Sequence, residues 1–405
     1  MAVDAPALPS RGPSGPARPA PRAGAVIVGA LGGDGRANVD ARGALTVVGD
    51  AWTLDWWIGA DDRWRVPARE PAVRQQPVGG APVAETRVRI PSGDAVQRVY
   101  GIGGRGDVVV VEIENDSPGA CIVAFAVRGA TTVSLDGSTL LLDGRAALVL
   151  PFPPRRWDVT DVELEAEQCG AQTGVIEARE LAPGTLRVAL LYPLSHRNRM
   201  RIGVICGDER PRIDLAQVPG ADEAARGWRR HLDAAMRVTG PDEQVAALDL
   251  DRSQVLLDPD PSAATAAALE DWGFDEQAAW AWEGLSGRER RAARRRTEVA
   301  EDPGPAGRLV RARAGLVRDL DAGIEILDAP PAPGVDLEVH DAPTRHGRLS
   351  FALRWHGEHP ALLWELTPPA DRAAKRVTLT APALAPGWST DDPVGETLLR
   401  PASTA

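Results

Sequence analysis

Residues 108–128 read VVVVEIENDSPGACIVAFAVR, and this stretch decides the fold. Two apolar runs, 108–113 and 121–127, flank a polar segment that carries the turn-forming pair Asn115-Asp116. Runs this short, rich in Val and bounded by Asn, Asp, Pro and Gly, are typical of β-strands. We therefore predict two strands here, with no helix between them.

The same pattern extends in both directions, from Ala23 to about Ile213. Short apolar runs alternate with turn residues and no helical period separates them, which predicts an antiparallel sandwich or barrel. Because the region is larger than one immunoglobulin-like unit, we predict that residues 23–218 form a large antiparallel β-sandwich. Further strands are predicted at 25–28, 45–48, 83–90, 146–150, 186–191 and 201–205.

Beyond residue 219 the apolar residues follow the period of a helix. At average helix length, the helical region predicted over 219–322 holds about six helices. A capping box, Ser286 with Glu289, opens the fifth helix, and Gly273 stands where a helix C-terminal glycine belongs. The third and fourth helices are predicted at 262–272 and 275–284. The residues that mark the other helices are Trp228, Leu232, Ala235, Met236, Val245, Leu248, Val255, Leu256, Leu309, Leu316, Leu320 and Gly323.

Period-two alternation returns in residues 323–400. Leu349, Phe351, Leu353 and Trp355 alternate with other residues, and 356–358 supplies a hairpin turn. A small C-terminal β-sandwich-like domain is predicted, with strands at 324–327, 335–339, 349–355, 361–366 and 377–381. The predicted fold class is multidomain α+β: a large antiparallel β-sandwich, a short α-helical region and a small β-domain. A Pro/Arg-rich tail over residues 1–22 is predicted to be disordered.

The composition excludes several classes of protein. A total of 46 Lys and Arg against 57 Asp and Glu gives a net charge of −11, and Lys375 is the single lysine. The basic footprint of a nucleic-acid or membrane-surface binder is therefore missing. We find no apolar run long enough for a membrane span, no signal-peptide core and, with three widely spaced cysteines, no disulfide framework. We predict a cytoplasmic protein without nucleic-acid or membrane partners.

Neither a cofactor nor a metal is predicted. The segment GIGGRGD (101–107) is glycine-rich, but a strand follows it instead of the helix that a dinucleotide loop requires. Six arginines within 288–296 are interpreted as a solvated helix face. Four histidines lack the helical spacing of metal ligands; they are His340, His346, His356 and His359.

Tryptophan is unusually abundant, with 12 Trp against 4 Phe and 2 Tyr. Two acidic segments hold seven of the tryptophans: AWTLDWWIGADDRW (51–64) and ALEDWGFDEQAAWAWEG (268–284). Indole rings stack on the C–H faces of sugars while carboxylates accept hydrogen bonds from hydroxyls, so carbohydrate is the predicted partner. The alternative is that the tryptophans are core residues beside helix caps and solvated carboxylates. The candidate substrate-binding residues are Trp56, Trp57, Trp64, Trp272, Trp280 and Trp282.

Three stretches resemble the six-hairpin glycosidase superfamily. Residues 29–52, GALGGDGRANVDARGALTVVGDAW, look like the opening of bacterial glucoamylase- and trehalase-like enzymes, and 108–128 is similar to the large sandwich of such proteins. Residues 341–366, DAPTRHGRLSFALRWHGEHPALLWEL, resemble the small terminal β-domain of α-L-rhamnosidase-like glycosidases. The chain also looks like a group of actinobacterial proteins of unknown function. It departs from the superfamily in its helical part, because a barrel of twelve helices needs about 250 residues.

Two hypotheses follow. The first is a carbohydrate-active enzyme, a reduced glycoside hydrolase that acts by paired carboxylates. The second is a non-catalytic scaffold that binds glycans or proteins. The sequence does not specify the substrate or the oligomeric state. The candidate catalytic carboxylates are Glu270, Asp271, Asp275, Asp61 and Asp62.

Overall fold

The computed structural model describes residues 25–103, 107–207, 210–293, 300–357, 359–369 and 376–399. The predicted tail over 1–22 lies outside the described residues, as do parts of the segments 101–107 and 288–296. The chain forms two compact units, one ending at Arg226 and the other beginning at Gly227. Antiparallel strands dominate, and the described α-helices lie within residues 221–316, so the α+β class is confirmed at this coarse level.

The first unit contains two nine-stranded sheets in which every described strand pair is antiparallel. In chain order the strands are β1 (Val26–Gly29), β2 (Arg36–Val39), β3 (Leu45–Val47), β4 (Thr53–Gly59), β5 (Trp64–Arg65), β6 (Arg74–Pro77), β7 (Ala84–Ile90), β8 (Gly93–Ile102), β9 (Val108–Asp116), β10 (Cys121–Ala130), β11 (Thr132–Asp136), β12 (Thr139–Leu142), β13 (Arg145–Val149), β14 (Arg156–Thr160), β15 (Gln172–Thr173), β16 (Arg179–Glu180), β17 (Leu186–Leu194) and β18 (Arg199–Ile205).

The stretch 108–128 supplies one strand to each of these sheets. The first sheet has the order β1-β2-β3-β4-β10-β17-β14-β15, with β5 paired to β4. The second has the order β16-β11-β12-β13-β18-β9-β8-β7-β6. Two short 3-10 helices, Pro67–Arg69 and Ala166–Gln168, lie in the connections.

One hydrophobic cluster draws on both sheets of the first unit. Val109 and Val111 of β9 belong to it together with Val123 and Phe125 of β10, so alternate side chains of each strand enter the same core. The intervening residues lie on the outer face of each sheet.

The second unit begins within helix α1 (Ala221–Leu232). The further helices are α2 (Asp242–Leu256), α3 (Ala263–Trp272), α4 (Asp275–Glu283), α5 (Gly287–Ala293) and α6 (Pro305–Leu316). The strands are β19 (Arg237–Thr239), β20 (Val317–Asp319), β21 (Gly323–Ile326), β22 (Leu337–Thr344), β23 (Gly347–His356), β24 (His359–Thr367), β25 (Thr378–Thr380), β26 (Ser389–Thr390) and β27 (Val394–Leu398). They form the sheets β19-β22-β23-β24-β27 and β20-β21-β25-β26, and only β21 and β25 pair in parallel within these described strands.

Helices and strands of the second unit share one hydrophobic cluster. Trp272 of α3, Ala278 of α4 and Leu309 of α6 pack in it with Val339 and Phe351 of the five-stranded sheet. The domain boundaries predicted after residues 218 and 322 stay predictions. None of the helices within the described residues combines the length and the apolar composition that a membrane span requires.

Several predicted helix ends are confirmed by hydrogen bonds. The Ser262 hydroxyl accepts a bond from the Thr265 N–H at the start of α3, and Gly273 ends that helix with a left-handed φ of 84°. The capping box of α5 is reciprocal. The Ser286 N–H donates to the Glu289 carboxylate at 2.7 Å, and the Glu289 N–H donates to the Ser286 hydroxyl at 3.3 Å.

The first and sixth predicted helices are wrong at their ends. Helix α1 begins at Ala221 and ends at Leu232, so Ala235 and Met236 lie beyond it. Helix α6 ends at Leu316, because Val317 turns to an extended backbone and pairs with Ile326. Gly323 opens a strand instead of closing the helix. The β-branched side chain at Val317 suits this strand better than another helical turn.

Candidate functional site

The two adjacent tryptophans of β4 point to opposite faces of the first sheet, as consecutive residues of a strand must. Trp56 is 1% exposed in the hydrophobic cluster that draws on both sheets, and its indole N–H donates to the Arg42 carbonyl at 3.2 Å. Trp56 is therefore a core residue. Trp57, 4% exposed, lies on the outer face.

We call the outer side of the first sheet around Trp57 the aromatic face. Trp57 packs there with Ala124, Ala126 and Leu191, and half-buried Trp64 packs against the same cluster. The Trp64 ring lies over Gly59, where an added Cβ would come within 3.1 Å of it, so glycine permits this close approach. The Nε1 atom of Trp57 is buried and finds no hydrogen-bond partner among the residues that the structure describes.

The carboxylates predicted beside these tryptophans lie in the connection between β4 and β5. Asp61 and Asp62 are both exposed. Arg65 donates two hydrogen bonds to Asp62, at 2.8 and 2.7 Å, and lowers the pKa of that carboxyl to about 2. Asp62 is therefore ionised throughout the physiological range, and Arg65 holds both of its carboxylate oxygens.

Two carboxylates that the sequence argument did not select are buried on the aromatic face. Asp55 of β4 accepts a hydrogen bond from Arg128, and Asp158 of β14 accepts one from the Ala171 N–H at 3.2 Å. Asp55 and Asp158 lie at matching register positions on β4 and β14. The strands β10 and β17 lie between these two in the sheet. Three strand spacings separate the two backbones by about 14 Å.

The second tryptophan-rich segment lies in the other unit, and its most buried member is structural. Trp272 is 0% exposed, and its indole N–H donates to the Leu309 carbonyl at 3.0 Å. The guanidinium of Arg252 lies 5.3 Å from its ring centroid, a cation–π contact inside the core. Trp280 and Trp282 are half-buried against the same cluster.

The acidic residues of this segment lie at or near the surface. Glu270 and Asp275 are exposed, and Asp271 is half-buried. Asp275 forms an ion pair with Arg348 at 2.9 Å. These surroundings differ from those of a general acid, whose carboxyl is buried so that its pKa rises.

A site that the sequence argument missed lies on the outer side of β6 to β9 and β18, which we call the charged face. Residues that pair across antiparallel strands share a face of the sheet. One transverse row joins five strands, and a second row lies beside it. The first row is Gln76, Glu85, Arg98, Glu112 and Arg201; the second is Arg74, Arg87, Val96, Glu114 and Arg199.

Glu112 is the centre of the charged face. It is 1% exposed and receives hydrogen bonds from Arg98 at 3.4 Å and from Arg201 at 2.7 Å, while Arg199 lies 3.7 Å away. Arg201 also donates to the Val218 carbonyl at 3.0 Å, and so residues near 218 help to cover this face. The guanidiniums compensate for the burial of this carboxylate.

Glu85 joins Glu112 through the arginine that they share. One Glu85 oxygen accepts a hydrogen bond from Arg87 at 2.8 Å and the other accepts one from Arg98 at 2.7 Å. Burial alone would raise the pKa of Glu85, but the two arginines outweigh it and the pKa is lowered. The period-two charges in β7 and β9 are the sequence signal for this face: Glu85, Arg87, Arg89; and Glu112, Glu114, Asp116.

The cysteines are unpaired thiols in the first unit. Burial raises the pKa of Cys121 and of Cys169 to about 11 and that of Cys206 to about 12. These thiols are protonated near neutral pH and are weak nucleophiles. Among the residues that the structure describes, no group of three His, Cys, Asp or Glu side chains is placed to hold a metal ion.

Comparison with known proteins finds no matching protein-family model and no similar sequence among curated proteins. The resemblance to six-hairpin glycosidases and to an actinobacterial group therefore stays a prediction.

Proposed function

We propose that the protein is a non-catalytic carbohydrate-binding scaffold that contacts sugar through the β4–β5 surface. This surface consists of Asp61, Asp62 and Trp64. The observation that carries the proposal is the half-buried Trp64 side chain, which follows two exposed carboxylates in the chain, one of them held by Arg65. An indole face and oriented carboxylate acceptors suit the C–H face and the hydroxyls of a pyranose.

The scaffold of this proposal is the predicted large β-sandwich. The hydrophobic cluster shared by the two nine-stranded sheets supports it. In this proposal Trp56 and Trp57, which are both buried, do not contact the sugar. Trp64 is half-buried and is the tryptophan that contacts it.

The alternative, a reduced glycoside hydrolase, has less support from the carboxylates. Hydrolysis requires two carboxyl groups about 5–5.5 Å or 6.5–9.5 Å apart, one of them with a raised pKa. Asp62 has a lowered pKa, and three strand spacings place the backbones of Asp55 and Asp158 about 14 Å apart. Glu85 and Glu112 are occupied by arginines.

A combined screen separates the two functions. The full chain is tested against soluble neutral and acidic oligosaccharides, both for binding and for release of reducing ends. Asp61→Ala and Glu270→Ala are tested in parallel. We expect binding without release of reducing ends, with affinity weakened by Asp61→Ala and unchanged by Glu270→Ala. Release of reducing ends that either substitution abolishes would contradict a non-catalytic scaffold.

A further inference from the structure

A depression opens at the edge of the charged face, beside β6, the end strand of the second sheet. It holds about 240 Å³ and is lined by Arg74, Gln76, Arg87 and Asp94. Its lining side chains come from three consecutive strands of one sheet. The strand register therefore fixes the positions of these side chains on the sheet, and the site is formed without a loop.

Positive charge exceeds negative charge in this depression. The Asp94 carboxylate lies 3.0 Å from the guanidinium of Arg74, 3.5 Å from that of Arg89 and 3.9 Å from that of Arg87. One carboxylate therefore forms ion pairs with three guanidiniums. Glu85 also binds Arg87, but it is shared with Arg98. The result is a local cationic spot on a chain whose net charge is −11.

The strand register places two of these arginines directly opposite each other. Arg74 of β6 pairs with Arg87 of β7, and like charges in this position destabilise a sheet. The Arg74 side chain is 67% exposed, which leaves donors of its guanidinium open to an incoming group. An oxyanion that accepts hydrogen bonds from both guanidiniums would turn this repulsion into a favourable interaction.

We propose that this depression binds a phosphate monoester group of a small organic molecule. Such a group can accept charge-assisted hydrogen bonds from both guanidiniums that line the depression, those of Arg74 and Arg87. The volume corresponds to about eight water molecules, which is more than a bare phosphate fills and leaves room for the organic part. The site is separate from the β4–β5 surface, so this proposal does not rest on carbohydrate binding.

Calorimetric titration of the full chain with methyl phosphate, at an ionic strength kept constant with KCl, tests the assignment. We expect saturable millimolar binding that Arg74→Ala weakens about tenfold or more, because a charge-assisted hydrogen bond is lost. Arg69→Ala removes an equally charged, exposed arginine that pairs with Glu165, and it should leave the affinity unchanged. Asp94→Asn should tighten binding, since it removes the competing negative charge.

The opposite signs of Arg74→Ala and Asp94→Asn separate binding from a purely structural role. If Asp94→Asn weakens methyl phosphate as much as Arg74→Ala does, the depression is only a structural ion cluster and the proposal is wrong. The proposal is also overturned if the wild type shows no saturable binding, or if inorganic phosphate binds and methyl phosphate does not. Methyl sulfate, which carries one charge, is expected to bind more weakly than methyl phosphate.

Discussion

The aromatic face and the charged face lie on the outer sides of two sheets that share one hydrophobic core. On the first, Trp57 packs over small residues such as Ala124 and Ala126. On the second, Glu112 and its arginines form alternating rows. The same inward pattern of Val, Ile and Leu thus supports two outer surfaces of opposite chemistry.

The difference between the faces shows how each one must be stabilised. The apolar cluster around Trp57 on the aromatic face gains free energy from burial, which depends little on pH. The charged face contains carboxylates whose burial is tolerable only while their arginine partners remain. Substitutions on each face separate these two modes of stabilisation.

Glu112→Ala is expected to have the largest effect. It leaves Arg201 without its buried carboxylate and removes one partner of Arg98, at a cost of about 3–5 kcal/mol in the free energy of unfolding. Glu114→Ala, in the next row and 25% exposed, is the matched control and should cost about 1 kcal/mol or less. Urea unfolding followed by far-UV circular dichroism compares them. Equal losses in the free energy of unfolding for the two substitutions would contradict the claim that the buried Glu112 stabilises the charged face more than the more exposed Glu114 does.

Trp56→Phe and Trp57→Phe compare the core with the aromatic face. Trp56→Phe leaves the Arg42 carbonyl without its indole donor, whereas Trp57→Phe removes an N–H that has no partner within the described part of the chain. The loss in the free energy of unfolding should therefore be about 1 kcal/mol smaller for Trp57→Phe than for Trp56→Phe in the same urea experiment. A larger loss for Trp57→Phe would mean that its Nε1 atom contributes a polar interaction to the folded state.

Glu85→Gln tests the acid sensitivity of the charged face. The pKa of Glu85 is lower in the folded chain than its ordinary value of 4.5, so its stabilising effect is complete above about pH 4.5. That effect is lost as the pH falls through the lower folded pKa. The melting temperature of Glu85→Gln, measured against pH by calorimetry, should fall less steeply below pH 4.5 than that of the wild type. Parallel curves would contradict the assigned direction.

Local signals in the sequence predict many of the elements. The apolar runs in 108–128 become β9 and β10, and the side chains of Ser286 and Glu289 form the predicted capping box. Residues 317–320 were harder to predict, because a helical spacing of leucines continues where pairing with β21 imposes a strand. Tertiary pairing overrides local propensity there.

The site could be predicted only in part, for a topological reason. Adjacent Trp56 and Trp57 must lie on opposite faces if 53–59 is a strand, so only one of them could reach an outer surface. The rows of the charged face depend on β9 pairing with β18, about 90 residues further along the chain. Charges at period two are visible in each strand, but the sequence does not show which strands are neighbours.

The affinity of Trp64 variants for oligosaccharide tests the central claim most directly. With the oligosaccharide that the wild type binds best in the screen, calorimetry is repeated on Trp64→Phe and Trp64→Ala. If the Trp64 ring stacks on sugar, Trp64→Phe keeps part of the affinity and Trp64→Ala loses it by about tenfold or more. Undiminished affinity in a folded Trp64→Ala protein would contradict carbohydrate binding through the β4–β5 surface.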